Sequence, residues 1–433
     1  MRERLKTVLI WLLIALTLFM AARTWAYDGR MLQNTAIAES RLLSSIFGVP
    51  YSRADLKLAP AIWEFSQAVR PARCAVMSGG LRTGAGQGSP AVDEMYDALS
   101  VYIGEALATA GVPVRMDEKQ WESALGETGV YFEYLSGVRL DVLGVWLSVE
   151  SKLDGFAARF ALVQAGNGCD FLYEDGGGTL WRAPTEVRQQ TWLVPDGMEP
   201  CLFVFESENQ PPFLSRRELI LRTGRVMGLQ AEARAVIPTA EPLLRALDFS
   251  PSTSFYTLDE DGSRVYVDGL RFCRISSGGE IFYKNPADAE PGGHLYLPDA
   301  ENVMAGRIEH ARRLGAMLFP ALGEGVFWLW SAEETDGGTE VTFLATAGGI
   351  PAAGGMAAYL TVVIENNTVR SLSARLRFYS LDEQASIIPM PVEMAAALLT
   401  RPENGLILCY PDETDGVHHA VWGRRASITL SAE

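Results

Sequence analysis

The sequence predicts an α+β fold: an N-terminal single transmembrane helix, followed by domains in which antiparallel sheets carry helices. Three observations predict it. Segments of helical period are followed by runs of period-two strands, the order of an α+β layer. Those runs are punctuated by tight-turn signals, namely Gly176–Gly178, Asp261-Gly262, Gly278-Gly279, Asp336–Gly338 and Asn366-Asn367. An uncharged, almost wholly apolar stretch fills residues 8–22, directly behind Arg2, Arg4 and Lys6.

That stretch comes first in the chain. At about 1.5 Å per residue its core spans roughly 22 Å, and continuing to Tyr27 gives about 20 residues and the reach of a hydrocarbon layer. Trp11 and Trp25 fall near the two interfaces, where indole is favoured, and Arg23 can snorkel. Thr17 and Ala21 place two small residues four apart, a surface on which another helix can pack. Basic residues ahead of the span put the N-terminus in the cytoplasm and the body outside the cell. A cleaved signal peptide is the alternative, although Thr24-Trp25-Ala26 lacks the small-x-small form of a cleavage site. Residues 1–27 are thus read as a cytoplasmic tip and membrane anchor. Residues 28–48, with Leu32, Ile37, Leu42 and Ile46 among polar neighbours, are read as a connecting helix.

An N-terminal α+β domain is expected over 49–235. Its clearest helix starts at Ser89 as N-cap and Pro90 as first residue. Val92, Met95, Tyr96, Leu99, Ile103, Ala106 and Leu107 give that helix an apolar face, and Gly111 stops it. A shorter helix runs from Glu118 to Leu125. Phe156, Ala158, Phe160 and Leu162 alternate as one face of a strand. "DFLYEDGGGTLWRAP" reads as two strands about its glycine turn, and "CLFVFESE" as a further buried strand. A β-rich middle domain is expected over 236–298, opened by the short helix "AEPLLRALDF". A C-terminal α+β domain is expected over 299–433. It holds a helix capped by Asp299, two hairpins, and a last helix led by Pro391 with Met394, Ala395, Leu398 and Leu399 on its apolar side.

Composition narrows the function. The chain has 433 residues, 48% hydrophobic and 21% charged, enough for two or three globular domains. A net charge of -16 excludes nucleic acid as a partner, since phosphate contacts need clustered Lys and Arg. Five cysteines lie far apart with no Cys-x-x-Cys, so they read as buried thiols and not as a zinc or disulfide framework. Among four histidines, His418 and His419 are adjacent, which in a strand points them to opposite faces; they read as an exposed pair. Neither His-Glu-x-x-His nor Gly-x-Ser-x-Gly occurs. Glu333-Glu334 and Asp259–Asp261 read as solvated turns, and Trp328 with Trp330 as core packing. No catalytic residue, cofactor or metal ligand is therefore expected. The glycine-rich "SGGLRTGAGQGSP" at 78–90 reads as a mobile surface loop. Arg82, Gly84, Gly86 and Gly88 are its anion-binding candidates, because the loop leads into a helix N-terminus.

Three stretches carry a resemblance: the N-terminal span "RERLKTVLIWLLIALTLFMAARTW"; the middle "DGSRVYVDGLRFCRISSGGEIFY"; and the end "VTFLATAGGIPAAGGMAAYLTVVIENNTVRSLSARLRFYSL" followed by "IPMPVEMAAALL". In these the chain resembles YycH and YycI, the membrane-anchored accessory proteins of the WalK–WalR (YycG–YycF) two-component system of low-GC Gram-positive bacteria. "WESALGETGVYFEYL" fits the first YycH domain. The chain departs from that family in being rich in Arg, Ala and Gly and poor in Lys, as a distant Clostridia-type member would be. PepSY-like and YpeB-like modules share the hairpin and Pro-led helix at the end. The resemblance implies a non-enzymatic extracytoplasmic regulator held by one N-terminal helix. Its partners would be a sensor histidine kinase and a second accessory protein. A ligand-sensing ectodomain and an envelope enzyme are the alternatives.

Overall fold

The computed structural model describes residues 69–424, except 190, 193, 209–213, 223, 234–239, 250–254, 287–294, 298–302, 319–324, 336 and 399–405. Contacts divide the chain into one unit of Met1–Ala61 with Phe249–Ser254 and a second of Ile62–Asp248 with Phe255–Glu433. The architecture below belongs to the second. The anchor at 1–27 and the connecting helix at 28–48 lie outside the described residues. Among the described residues no helix is long and apolar enough to cross a membrane.

The N-terminal lobe opens with the hairpin β1 (Pro71–Ser78) and β2 (Leu81–Ala85). There follow α1 (Pro90–Thr109), β3 (Val114–Met116), α2 (Glu118–Ala124), β4 (Gly129–Arg139) and α3 (Leu140–Trp146). The meander β5 (Phe156–Ala165), β6 (Gly168–Glu174) and β7 (Leu180–Arg188) comes next, then the short β8 (Glu199–Pro200), β9 (Leu202–Phe203) and β10 (Leu219–Ile220). Eight of these strands form one sheet, ordered β3-β7-β6-β5-β4-β1-β2-β8, and every pairing in it is antiparallel.

This sheet is covered on both faces. The apolar stripe of α1 packs on one, where Tyr96 meets Phe132 edge-on and Phe132, Phe160 and Phe171 continue the row. Successive strand residues face opposite ways. Tyr131, Ala161, Val163 and Leu172 therefore join Trp121 of α2 and Phe203 on the other face. β5 is consequently buried on both sides, and the one-faced alternation expected for it does not hold. Both helices start where expected, but their caps differ in chemistry. Ser89 occupies the N-cap of α1 without making a side-chain cap bond, whereas Asp117 and Gln120 form a full capping box on α2. "CLFVFESE" is only two residues of strand. Glu206 accepts from the Phe203 N–H and bends the chain into a 3-10 turn at Val204–Glu206.

The rest of the chain gives β11 (Val226–Ala233), α4 (Ala240–Ala246), β12 (Phe255–Leu258), β13 (Arg264–Asp268), β14 (Arg271–Ile275) and β15 (Glu280–Lys284). After α5 (Val303–Leu318) come β16 (Gly325–Thr335), β17 (Gly338–Ala347), β18 (Ile350–Ala353), β19 (Tyr359–Glu365), β20 (Thr368–Arg375) and β21 (Arg377–Ile387). α6 (Val392–Leu398), β22 (Leu406–Pro411), β23 (Gly416–His418) and β24 (Val421–Arg424) complete it. Asn366 and Asn367 both take positive φ in the β19–β20 turn, as a two-residue hairpin requires.

Eleven strands join one sheet here, running β12-β13-β14-β15-β20-β19-β17-β18-β22-β24, with β16 added beside β17. The bond between β15 and β20 fuses the expected middle and C-terminal domains into this sheet. β11, placed by the sequence at the end of the first domain, instead pairs with β21 and β23. The result is a mixed α+β body of mostly antiparallel sheets.

Candidate functional site

Charged residues placed inside apolar strands mark the most unusual part of the body. Arg73 of β1 stands opposite Glu133 of β4, Glu133 opposite Arg159 of β5, and Arg159 opposite Glu174 of β6. Four neighbouring strands thus present one row of alternating sign on the face away from α1. Opposite charges facing across strands attract, and like charges would repel. Arg73 Nη1 lies 3.4 Å from Glu133 Oε1, and Arg159 Nε lies 3.1 Å from Glu174 Oε2.

Residues 204–208 and 214–220 form a strap over this ladder. Its ends are tied by Val204 N–H to Glu218 O and Phe205 N–H to Arg216 O, both 2.9 Å, and by the β9–β10 pairing. The strap adds Arg217, whose Nη1 is 2.9 Å from Glu174 Oε1 and donates to Gly178 O at 3.0 Å. It also adds Glu218, only 6% exposed, whose Oε2 has no hydrogen-bond partner. Burial raises the Glu218 carboxyl above its ordinary range and Glu133 adds to the rise, against the pull of Arg73 and Arg159. Burial alone would depress the Arg159 guanidinium, but Tyr131, Glu133, Glu174 and Glu218 hold it above its ordinary value. The Tyr131 hydroxyl donates to Glu133 Oε2 at 3.3 Å, and burial keeps it protonated.

Outside the strap lies α6. Val392 and Ala396 pack with Val204, Leu214 and Ile220 in one apolar cluster. The other side of this segment is open: Ile388 is 72%, Met390 42%, Met394 58% and Leu398 67% exposed. Trp422 Nε1 donates to Met390 O at 2.7 Å and fixes that surface to β24.

A second ionic centre lies in the C-terminal lobe. Arg377, with Asp412, is fully buried. Its Nε lies 3.0 Å from Asp412 Oδ2, its Nη1 2.9 Å from Asp415 Oδ1, and its Nη2 donates to Thr414 O at 3.0 Å. The Tyr379 hydroxyl donates to Asp412 Oδ2 at 2.6 Å and accepts the Ala358 N–H. Burial, with Asp412 adding, pushes Tyr379 far above the usual phenol range. His418 belongs to this centre and is not half of an exposed pair: its Nε2 sits 2.8 Å from Thr414 O and 3.9 Å from Asp412 Oδ1, while His419 is exposed.

Between the lobes runs a cleft of about 370 Å³. The N-terminal lobe contributes Arg70, Gln87, Ser89 and Asp93, and the C-terminal lobe Trp328, Gly348 and Gly349. The stretch expected to be a mobile loop forms its rim and floor. Residues 81–85 are strand β2, Gly79 and Gly80 form the exposed β1–β2 turn, and Gln87 and Gly88 dock on the C-terminal lobe. The Gln87 amide donates to Leu408 O and accepts from Leu408 N–H, each at 3.0 Å, completing the edge of β22. Gly88, at φ 80°, sits so close to the next lobe that a Cβ would come 3.2 Å from Gly348 O.

Arg82 is therefore no free anion receptor. Its side chain is buried, with Nη2 2.8 Å from Glu206 Oε1 and donating to Leu125 O at 3.0 Å. Gly84 is held by close packing: a Cβ there would come 2.8 Å from Cys74 O. Gly86 and Gly88 do line the cleft. Trp11, Thr17, Ala21 and Trp25 lie outside the described residues. Trp328 and Trp330 share a narrow crevice with Leu135 and Leu344, and Trp328 also lines the cleft.

The thiols offer no nucleophile. All five cysteines are free, and burial pushes Cys74, Cys201 and Cys273 up to about 12 and Cys409 to about 11. Among the described residues no three His, Cys, Asp or Glu side chains converge as a metal site. Neither a family model nor a curated protein matches the chain. A solved structure, the pyran synthase domain from module nine of the sorangicin pathway, matches 71% of this chain and 98% of its own at 13% identity. Its TM-score of 0.13 carries no structural argument.

The sequence reading missed Arg73, Glu133, Arg159 and Glu174. A signal was there for three of them: Arg73, Glu133 and Arg159 are charges inside largely apolar strands, in "PARCAVMS", "VYFEYL" and "GFAARFALVQ", whereas Glu174 closes its strand beside Asp175. Charges so placed must be paired or they would not be tolerated.

Proposed function

We propose that the chain is a non-enzymatic, single-span regulatory protein of the YycH/YycI type. It would be anchored by residues 8–27, with its body outside the cell, and would bias a sensor histidine kinase by protein–protein and helix–helix contact. The observation that carries this reading is the two-sided segment around α6. Its outer side offers Ile388, Met390, Met394 and Leu398 to solvent, the adaptable apolar surface that protein interfaces favour. Its inner side rests on the strap, and the strap rests on the charge ladder. A partner seated on α6 acts on a packed element with ionic groups beneath it. A regulator needs only a contact whose free energy differs between two states of its partner. The basic residues ahead of an apolar run supply the second requirement, a tether beside a membrane-embedded kinase.

The test is co-purification of the full-length chain from membranes in mild detergent, compared with M394E/L398E and with a chain lacking residues 1–27. A histidine kinase accompanies the full-length chain and is lost from the double variant at unchanged melting temperature. Without residues 1–27, kinase regulation disappears while the body still folds. Undiminished regulation by that soluble body, or kinase recovery indifferent to M394E/L398E, overturns the reading.

A further inference from the structure

We propose that the cleft between the lobes is a binding site for an uncharged carbohydrate ring. The proposal stands on the cleft alone and is independent of the kinase reading. A volume of about 370 Å³ falls within the size range of small-molecule sites. Its walls combine one large aromatic surface with a small set of polar groups, the usual division between affinity and orientation.

Charge selects the ligand class. Arg70 has its side chain only 9% exposed and lies 3.2 Å from both Asp93 and Asp97. One cation held by two carboxylates leaves the site slightly negative within a chain of net charge -16, so phosphates and acidic sugars are disfavoured. Asp93 keeps more than half of its side chain open to solvent, and it meets Arg70 through Oδ1. The open Asp93 carboxylate therefore sets an acceptor oxygen on the cleft wall facing Trp328. The hydroxyls of a sugar ring, as donors, match that arrangement. Trp328, half-buried and packed near Gly349, supplies a surface for the C–H face of the ring. The glycines Gly88 and Gly349 leave the floor free of side chains. Because the ring would touch Asp93 from one lobe and Trp328 from the other, occupancy would bind the lobes more tightly together.

Calorimetric titration of the full-length chain in a detergent without sugar headgroups tests this. The neutral probes are a β-1,4-linked N-acetylglucosamine tetrasaccharide and cellotetraose; inorganic phosphate and glucuronate are the charged probes. Saturable binding of at least one neutral probe is expected, tighter than either charged probe and weakened about tenfold by D93N and by W328A. Should W328A lower the melting temperature, D93N alone decides, since that carboxylate is exposed. The proposal is overturned if neither neutral probe saturates, if a charged probe binds more tightly, or if D93N binds as the natural chain does.

Discussion

The two buried ionic centres solve one problem in opposite ways. The ladder of the N-terminal lobe spreads its charge along four strands, so each group has more than one neighbour of opposite sign. The centre of the C-terminal lobe gathers two carboxylates and a carbonyl on the single guanidinium of Arg377. Removing one member should therefore do moderate damage in the first and severe damage in the second. Solvent sharpens the contrast. The ladder's arginines and glutamates each keep a sliver of exposure, whereas Asp412 is wholly buried.

The largest effect is expected from R377M. Leaving Asp412 charged without its guanidinium should destabilise the fold by about 3–5 kcal/mol, measured by urea unfolding. R377M/D412L should recover part of that loss, and a double variant no more stable than R377M would contradict a hub-like role. R159M comes next. Arg73 still faces Glu133 and Arg217 still faces Glu174, so a loss of about 1–3 kcal/mol is expected. A loss equal to that of R377M would erase the distinction between the centres. Q87A removes the two bonds to the edge of β22 at a site that water can reach, for about 1 kcal/mol. Its clearer readout is faster amide exchange at Leu408.

The smallest effect at neutral pH, and the most specific, belongs to E218Q. Because the folded state raises the Glu218 carboxyl, the neutral form is the one that burial favours. The stability tied to it is complete below the ordinary glutamate range and is lost as pH rises through the raised value. E218Q should flatten this part of the stability–pH curve. The same slope in both chains would show that Glu218 has no such role.

Helices and hairpins were well marked in the sequence, because caps, glycine turns and periodicity are local signals. α1, α2, the β6–β7 turn and the Asn366-Asn367 turn all stand where those signals lie. What is decided at long range was hidden. Nothing near Val226–Ala233 says that its partners are β21 and β23, and nothing near Gln87 says that its amide will complete a strand edge at Leu408. Gly84, Gly86 and Gly88 read as anion-binding candidates because their loop leads into a helix N-terminus. Instead Gly88 meets the other lobe at Gly348, while Gly84 and Gly86 are approached by Cys74 and Leu221 of their own lobe. Arg82 misled for a related reason: a guanidinium beside glycines resembles a receptor until Glu206 is seen to occupy it.

β11 has one more consequence. It is made before either of its neighbours, and nearly all of the remaining chain must be synthesised before β23 can take its place. The C-terminal sheets therefore cannot close while the polypeptide is still emerging. Such distant pairings are slow to form, so the newborn chain should spend a period with its later strands unshielded, in need of a chaperone, and a fragment begun at residue 236 should fail to mature at all.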